Sequence, residues 1–259
     1  MIEWLKILIL AVVQGITEWL PISSSGHLVI FQRLLDYNAS VMFDVALHFG
    51  TLMAVFVYFG REIVDIVEAL FKGKWNSENG KMGLLLIVSA IPAAVFGYLF
   101  KEVFESAFSS FLLVGIGFGI TGLILFIVSF DFRKNVKKMP SWIDSVLIGF
   151  AQALAIFPGI SRSGSTISAG LLRGMDTKNA MKFSFLMSIP VIFGAGILEI
   201  GNNALPHELI WATLVAFVVG LASIHFLLKV ISKDRKNLRW FGVYALLLAI
   251  LVVGYSILK

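Results

Sequence analysis

The chain has 259 residues, of which 58% are hydrophobic and only 14% are charged, and its net charge is +5. A soluble domain of this length would carry nearly twice that charged fraction, so the composition indicates a polytopic helical membrane protein. The absence of cysteine excludes disulfides and thiolate metal sites. The positive charge does not favour nucleic-acid binding, because the basic residues lie in short loops between apolar segments, where membrane topology places them.

The first apolar segment covers about 4–35 and is interrupted by Pro21-Ile22-Ser23-Ser24-Ser25-Gly26. Proline, serine and glycine end one helix, and Ser25 can cap the next. Each half is too short to cross a bilayer core of about 30 Å. The sequence therefore predicts a re-entrant helical hairpin, whose broken backbone at membrane depth must be surrounded by protein or a water-filled cavity.

The rest of the first half contains three predicted transmembrane helices, at about 41–60, 82–100 and 108–130. The first continues into an amphipathic tail that runs from Arg61 to Lys74. Pro92 is expected to kink the second. The connection at 101–105 is slightly acidic, and the basic loop 133–138 follows the third helix.

The second half repeats this plan, with a broken segment at about 142–173 and predicted transmembrane helices at about 183–200, 208–230 and 239–258. Gln14 and Gly26 stand as far apart as Gln152 and Gly164, and Ser23-Ser24-Ser25-Gly26 aligns with Ser161-Arg162-Ser163-Gly164. The sequence predicts a single membrane domain made of two repeats, at about 1–132 and about 140–259.

Lysine and arginine assign the loops to sides of the membrane. The basic regions 72–81, 133–138, 173–182 and 229–239 are expected on the cytoplasmic side, and the loops 101–107 and 200–208 on the outer side. The two hairpins then enter from opposite faces. The predicted fold is an all-α polytopic membrane protein with six transmembrane helices plus two re-entrant helical hairpins in an inverted-topology repeat, with a shared site near the midplane.

Arg162 is the most informative single residue, because an arginine deep in a membrane segment is costly and by default marks a functional site. Its planar guanidinium suits bidentate binding of phosphate or carboxylate. The structural alternative is a salt bridge to Glu18 that only pins the two hairpins together.

Hydroxyls and glycines surround Arg162 at the start of a helix, and they are Ser161, Ser163, Gly164, Ser165 and Thr166. We call the breaks at 21–26 and 159–164 the first and second elbows. The first elbow offers the same geometry at Ser25-Gly26-His27, with Ser23 beside it. If the elbows meet tip to tip, two positive helix ends and one guanidinium converge on one point. A diphosphate fits such a pocket better than a carboxylate.

Glu18 and His27 supply acid–base capacity. Glu18 is expected to pair either with Arg162 or with a metal ion held through phosphate oxygens. His27 lies three residues after Ser24, near enough to activate its hydroxyl, or it is a histidine hydrogen-bonded to a carbonyl. Asp44 and His48 share a helix face one turn apart and either extend the site or lie near the outer surface.

At the two elbow motifs the sequence resembles the undecaprenyl-diphosphate phosphatase family, the integral membrane type linked to bacitracin resistance. The resemblance covers essentially the full length, including Phe183-Ser184-Phe185-Leu186. It implies hydrolysis of the terminal phosphate of a polyprenyl diphosphate lipid, dependence on a divalent cation (Mg²⁺ or Ca²⁺), and a homodimer. It also implies the cytoplasmic membrane of a bacterium, with the active site open to the outer face.

By position, Ser24 matches the family's serine nucleophile, Glu18 its essential glutamate, His27 its histidine and Arg162 its phosphate-binding arginine. The accompanying hydroxyls match Ser161, Ser163 and Thr166. Many members have a glutamate where this chain has Gln14. Gln14 can hydrogen-bond to substrate but cannot be an anionic metal ligand or a base, so direct binding of metal rests on Glu18, with Asp44 as a second expectation.

A lipid-phosphate flippase or transporter is the alternative function, because inverted repeats with broken helices are a transporter design. A flippase needs the same anion site but no nucleophile. Ser24 and His27 therefore discriminate between the two functions.

Overall fold

The computed structural model describes residues 2–130, 136–200 and 207–258, and most of them are in helices. In chain order the helices are α1 (Glu3–Thr17), α2 (Ser24–Leu34), α3 (Val41–Tyr58), α4 (Gly60–Phe71), α5 (Glu78–Leu99), α6 (Lys101–Ser109), α7 (Phe111–Val128), α8 (Trp142–Leu154), α9 (Arg162–Leu172), α10 (Thr177–Ile200), α11 (His207–Lys233) and α12 (Leu238–Leu258). A short 3₁₀ turn at Arg235–Asn237 precedes α12. The all-α prediction is confirmed for the described residues.

Several helices are long and apolar enough to cross a membrane, as a polytopic membrane protein requires. Five such segments occur in the described chain: Val41–Tyr58, Glu78–Leu99, Phe111–Val128, Leu209–Lys233 and Arg235–Leu258. They coincide with five of the six predicted transmembrane helices, with ends that differ by a few residues. The sixth prediction, at 183–200, falls within α10, and several side chains near the end of that helix lie outside the described part.

Two short helices occur where the sequence predicted other structures. The tail predicted after the first transmembrane segment is a separate helix, α4, which buries Ile66 and Ala69 against the bundle. The connection predicted as an acidic loop at 101–105 begins α6, which buries Phe104 and Ala107. In both helices, two apolar residues three apart place one face on the protein.

The two broken segments each form a pair of short helices, α1–α2 and α8–α9. None of the four exceeds 15 residues, or about 22 Å of helix, which is short of a bilayer core of about 30 Å. Ser23 caps α2 by accepting a hydrogen bond from the Gly26 N–H, so the cap lies two residues before the predicted Ser25. Ser161 caps α9 in the same way at the Gly164 N–H.

The two halves of the sequence interleave instead of packing as separate bodies. The helix α1 packs on α11 of the second half, and α8 packs on α5 of the first half. At the second of these contacts, a Cβ on Gly149 would lie 2.5 Å from the Ser89 carbonyl oxygen. Only glycine allows α8 to approach α5 this closely beside Pro92, and this crossing sets the position of the second elbow.

Basic segments expected on the cytoplasmic side lie together at one end of the bundle. The Lys137 N–H donates to the Gly174 carbonyl at 2.9 Å, and Arg235 donates to the Val128 carbonyl at 2.8 Å. Lys137 and Arg173 both form ion pairs with buried Asp144. Of the predicted loops, residues 133–135 on the basic side and 201–206 on the outer side lie outside the described residues.

Candidate active site

The elbow between α1 and α2 contacts the elbow between α8 and α9. The Ser163 hydroxyl donates to the Leu20 carbonyl at 3.0 Å. A Cβ on Gly26 would lie 3.0 Å from the Gly159 Cα and 2.6 Å from the Phe118 ring, so glycine permits the approach. The two motifs, more than a hundred residues apart in sequence, therefore form one site.

Glu18 lies at the centre of this site and is buried. Arg162 donates to its Oε1 at 2.6 Å, and the Ser24 hydroxyl donates to its Oε2 at 2.5 Å. The Gln14 amide also donates to Oε2 at 3.0 Å, and His48 Nε2 lies 3.6 Å from the same oxygen. A cation and several donors thus offset the cost of burying the carboxylate.

Arg162 is the first residue of α9 and keeps part of its hydrogen-bonding capacity unused. Its guanidinium carbon lies 5.1 Å from the centroid of the Trp19 ring, which holds the group in a cation–π contact. One terminal nitrogen, Nη2, binds Glu18, whereas Nη1 is buried without a hydrogen-bond partner. A buried charged donor without an acceptor is costly, so the site favours an anion beside Arg162.

A cavity of about 180 Å³ opens at the junction of the elbows. Its polar side consists of Glu18, Ser23, Ser24, Ser25, His48, Ser161 and Arg162. Its apolar side consists of Phe108, Ala155, Ile156, Ile160 and Ile192. A cavity divided in this way fits a ligand with a charged head and a hydrocarbon tail.

Both ring nitrogens of His27 form hydrogen bonds with partners other than Ser24. Nδ1 lies 2.6 Å from the Ser23 carbonyl oxygen, and Nε2 lies 2.7 Å from the Tyr244 hydroxyl. Of the two interpretations left open by the sequence, this is the histidine hydrogen-bonded to a carbonyl. The residue that accepts the Ser24 hydrogen bond is Glu18.

Only part of the predicted substrate-binding set faces the cavity. Ser23, Ser25 and Ser161 line it, but five others do not: Gln14, Gly26, Ser163, Gly164 and Thr166. Thr166 donates to the Arg162 carbonyl at 2.8 Å and lies 2.6 Å from the Ser184 hydroxyl. Gly26, Ser163, Gly164 and Thr166 hold the elbows and α9 in place, because their polar groups and close contacts are directed at protein. Gln14 donates from its amide nitrogen to Glu18, and its Oε1 has no partner.

Asp44 does not line the cavity, and its carboxylate accepts a hydrogen bond from Gln32 at 3.0 Å. The contribution of α3 is His48, whose Nδ1 lies 2.8 Å from the Asp44 carbonyl oxygen. The geometry therefore gives no support to Asp44 as a metal ligand. The sequence signal for His48 was its position one turn after Asp44, whereas no local signal pointed to Phe108 or Tyr244.

The donors available for a metal ion are few. Among residues 2–130, 136–200 and 207–258, no three His, Asp or Glu side chains group closely enough to hold one. Glu18 and the Oε1 atom of Gln14, which is buried without a partner, are hard oxygen donors one helical turn apart. This pair fits a divalent cation whose remaining ligands come from substrate phosphates, as Mg²⁺ sites commonly do.

An acid, a serine and an arginine meet between two pairs of short helices in an apolar bundle. Together with the five described helices that are long and apolar enough to cross a membrane, this bundle is that of a polytopic membrane protein. The family model described as bacitracin resistance protein BacA matches residues 7–251, and the chain belongs to this family.

Relatives of similar length carry one name. The undecaprenyl-diphosphatase of Methanococcus vannielii is 39% identical over 251 residues, covering 96% of this chain and 98% of that protein. The undecaprenyl-diphosphatase of Thermosipho melanesiensis is 42% identical over 245 residues, covering 94% of this chain and 96% of that protein. The one from Caldicellulosiruptor bescii is 42% identical over 260 residues and covers 96% of each chain.

Proposed function

We propose that this protein hydrolyses undecaprenyl diphosphate to undecaprenyl phosphate and inorganic phosphate. The observation that carries the proposal is that Ser24 and Arg162 bind the two oxygens of the Glu18 carboxylate. A nucleophile (Ser24), a base (Glu18) and a guanidinium that can bind phosphate (Arg162) therefore share one cavity. Membership of the BacA family and the names of the relatives support the same reaction.

Arg162 and the helix ends hold the diphosphate. The unpaired Nη1 of Arg162 supplies a charged donor for a phosphate oxygen. The first turns of α2 and α9 add two positive helix ends beside it. Together these groups stabilise the negative charge that develops on the transferred phosphoryl group.

Ser24 attacks the terminal phosphorus while Glu18 accepts its proton. The bond between Ser24 Oγ and phosphorus forms, the anhydride P–O bond breaks, and undecaprenyl phosphate leaves with the electron pair. Glu18 passes its proton to the leaving phosphate and then deprotonates a water molecule. The resulting hydroxide bonds to phosphorus, the Oγ–P bond breaks, and Ser24 Oγ leaves with the electron pair and takes the proton back from Glu18. Inorganic phosphate is released, and both Ser24 and Glu18 are regenerated.

Glu18 is the base in this proposal because Ser24 donates to it at 2.5 Å. His27 was the other base that the sequence offered. Its two nitrogens are engaged by Ser23 and Tyr244, so its place in the reaction is not proton transfer from Ser24.

A divalent cation, Mg²⁺ or Ca²⁺, completes the proposed site. Glu18 and Gln14 would hold it together with the diphosphate oxygens, and when bound it neutralises phosphate charge. Because the protein supplies only two donors, the cation is expected to bind tightly only together with the substrate.

In the membrane, we propose six transmembrane helices and two re-entrant hairpins, α1–α2 and α8–α9, related as inverted repeats at about 1–132 and 140–259. The short hairpin helices and the interleaved packing support this arrangement. The collection of basic segments at one bundle end supports a cytoplasmic assignment for that end. An active site open to the outer face of the cytoplasmic membrane is a prediction from the family resemblance.

The substrate is a membrane lipid. The start of its prenyl tail would lie against the apolar side of the cavity, which includes Phe108 and Ile192. Conversion of the diphosphate lipid to the monophosphate would return the carrier to cell-wall synthesis. Resistance to bacitracin would be a consequence of the lower amount of diphosphate lipid. A homodimer remains a prediction from the family resemblance.

Phosphate release from undecaprenyl diphosphate by the purified protein in detergent tests this proposal against a flippase. We expect stoichiometric phosphate and undecaprenyl phosphate from wild type, and a large loss of both with Arg162→Ala. Ser106→Ala, which removes an exposed hydroxyl on α6, is the control for handling and should match wild type. No phosphate release by folded wild type would overturn the enzyme proposal and favour lipid transport.

A further inference from the structure

The backbone at Ser23, directly before Ser24, has a conformation that residues other than glycine rarely adopt. Its φ is 70° and its ψ is 100°, in a region of positive φ that is sparsely populated for side chains with a Cβ. The equivalent residue of the second elbow, Ser161, is extended with a φ of −72° and a ψ of 121°. Only the elbow that carries Ser24 is strained in this way.

His27 fastens the strained peptide. Its Nδ1 lies 2.6 Å from the Ser23 carbonyl oxygen, and a carbonyl can only accept, so Nδ1 must carry the proton. In the neutral ring Nε2 is then the acceptor, and the Tyr244 hydroxyl donates to it at 2.7 Å. At the second elbow the residue equivalent to His27 is Ser165, so the histidine and the strained backbone occur together.

Tyr244 reaches His27 from α12, in the other half of the chain. The two rings are nearly parallel, at 6°, with centroids 5.8 Å apart. The Phe118 ring of α7 lies nearly perpendicular to the His27 ring, at 89°, with a centroid separation of 5.1 Å. The imidazole is thus held on two sides by helices that do not form part of the elbow.

We infer that Tyr244 and His27 are positioning residues for Ser24. Tyr244 fixes the imidazole, the imidazole holds the Ser23 carbonyl, and the Ser23 peptide directs the Ser24 hydroxyl to Glu18 at 2.5 Å. This inference rests on the proposed phosphatase reaction. It assigns His27 a role that does not require transfer of a proton to or from the substrate, and it assigns Tyr244 a role in the same reaction.

Substitutions at His27 separate positioning from base catalysis. In His27→Asn the side-chain amide can still donate to the Ser23 carbonyl but has no basic nitrogen. We expect kcat for phosphate release to stay within about tenfold of wild type, the effect of roughly one hydrogen bond. In His27→Leu, which cannot donate, we expect a loss of about a hundredfold or more in kcat, because misplaced reacting groups cost about that much.

Tyr244→Phe removes the hydroxyl and keeps the ring, and we expect kcat to fall by roughly threefold to tenfold, as for one lost hydrogen bond. KM should stay within about twofold, because Arg162 and the cavity are unchanged. Tyr98→Phe, which deletes a hydroxyl from a tyrosine that is 84% exposed, is the matched control.

Two results would overturn the inference. One is a folded His27→Asn protein as inactive as His27→Leu, which would return His27 to the role of base. The other is a Tyr244→Phe protein with the kcat of wild type. Either outcome requires phosphate release by wild type, so both differ from failure of the proposed function, in which wild type itself releases none.

Discussion

Ser24 and Arg162 are the first residues of α2 and α9, and they contact opposite oxygens of one carboxylate, that of Glu18. In the register that aligns Gln14 with Gln152, the two residues occupy the same position. The equivalent position of each elbow therefore contributes one group to the site: a hydroxyl from the first elbow and a guanidinium from the second. The contact between the elbows makes a nucleophile and its phosphate-binding partner neighbours.

Substitutions in the ion pair between Glu18 and Arg162 can show whether these two residues serve stability, catalysis or both. Glu18→Gln leaves Arg162 buried without a counter-charge, and breaking a buried pair from one side typically costs about 3–5 kcal/mol of stability. It also removes the acceptor of the Ser24 proton, which should lower kcat by roughly 10²–10⁴-fold. Thermal unfolding in detergent and phosphate release measure the two effects.

The double variant Glu18→Gln/Arg162→Gln separates those effects. Removing both charges should restore much of the thermal stability, because no unpaired charge stays buried. Activity should stay low, since base and phosphate ligand are both lost. Recovery of phosphate release together with stability would contradict the catalytic roles and leave the pair as a structural pin.

Substitution of Gln14 should change how strongly the site binds a divalent cation. Gln14→Glu places a second carboxylate one turn before Glu18, so the variant should be less stable in EDTA and regain stability when Mg²⁺ or Ca²⁺ is added. The half-maximal cation concentration for phosphate release should fall by about tenfold, because cation affinity rises with ligand charge. The cation-dependent melting temperature gives a readout independent of activity.

Gln152→Glu is the matched control for that prediction. Gln152 has the same register position on α8, but the residue four positions later is Ile156 instead of an acid. Its stability should therefore not depend on the cation. A Gln14→Glu protein that responds to cations no more than wild type and this control would rule out the Gln14–Glu18 pair as the cation site.

The ion pairs of Asp144, near the start of α8, should make the stability of the folded protein sensitive to acid. Burial opposes its ionisation, but hydrogen bonds from Lys137, the Ser141 backbone and Arg173 outweigh burial and hold its pKa well below the usual range. A carboxyl with a lowered folded-state pKa contributes stability above its unfolded pKa of about 3.9. That stability is lost as the pH falls from there through the folded pKa.

Wild type should therefore lose thermal stability as the pH falls below about 4, beginning near the unfolded pKa. Asp144→Asn should be less stable than wild type at pH 7 by roughly 1–3 kcal/mol, between the values for exposed and buried ion pairs. Its stability should also change less with acid. Asp65→Asn, at an exposed acid on α4, is the control. An Asp144→Asn protein with the stability and acid profile of wild type would contradict this account.

The features that depend on local sequence pattern could be predicted from the sequence. Proline, serine and glycine between apolar runs predicted both elbows, and the cost of charge at membrane depth predicted that Arg162 and Glu18 have partners. Their direct contact at 2.6 Å is what the structure adds. Ser24 was assigned from the family resemblance, and its hydrogen bond to Glu18 supports that assignment without testing catalysis.

What the sequence could not predict depends on distant packing. The partner of His27 lies 217 positions away at Tyr244, so no local pattern distinguishes a base from a hydrogen-bonded positioning residue. His48 enters the cavity and Asp44 does not, because the rotation of α3 against the elbows decides which side chain faces inward. That rotation is set by packing against α10 and α11.

Ser24 performs the attack on phosphorus in the proposed reaction, and we would test this by measuring phosphate release by Ser24→Ala and Ser106→Ala side by side. We expect Ser24→Ala to lower kcat by at least about a thousandfold, because loss of a nucleophile has an effect of that size. Ser106→Ala should retain the activity of wild type, since that hydroxyl only donates to the Val103 carbonyl of its own helix. Phosphate release by folded Ser24→Ala at a rate close to wild type would show that Ser24 is not the nucleophile and assign the attack to water.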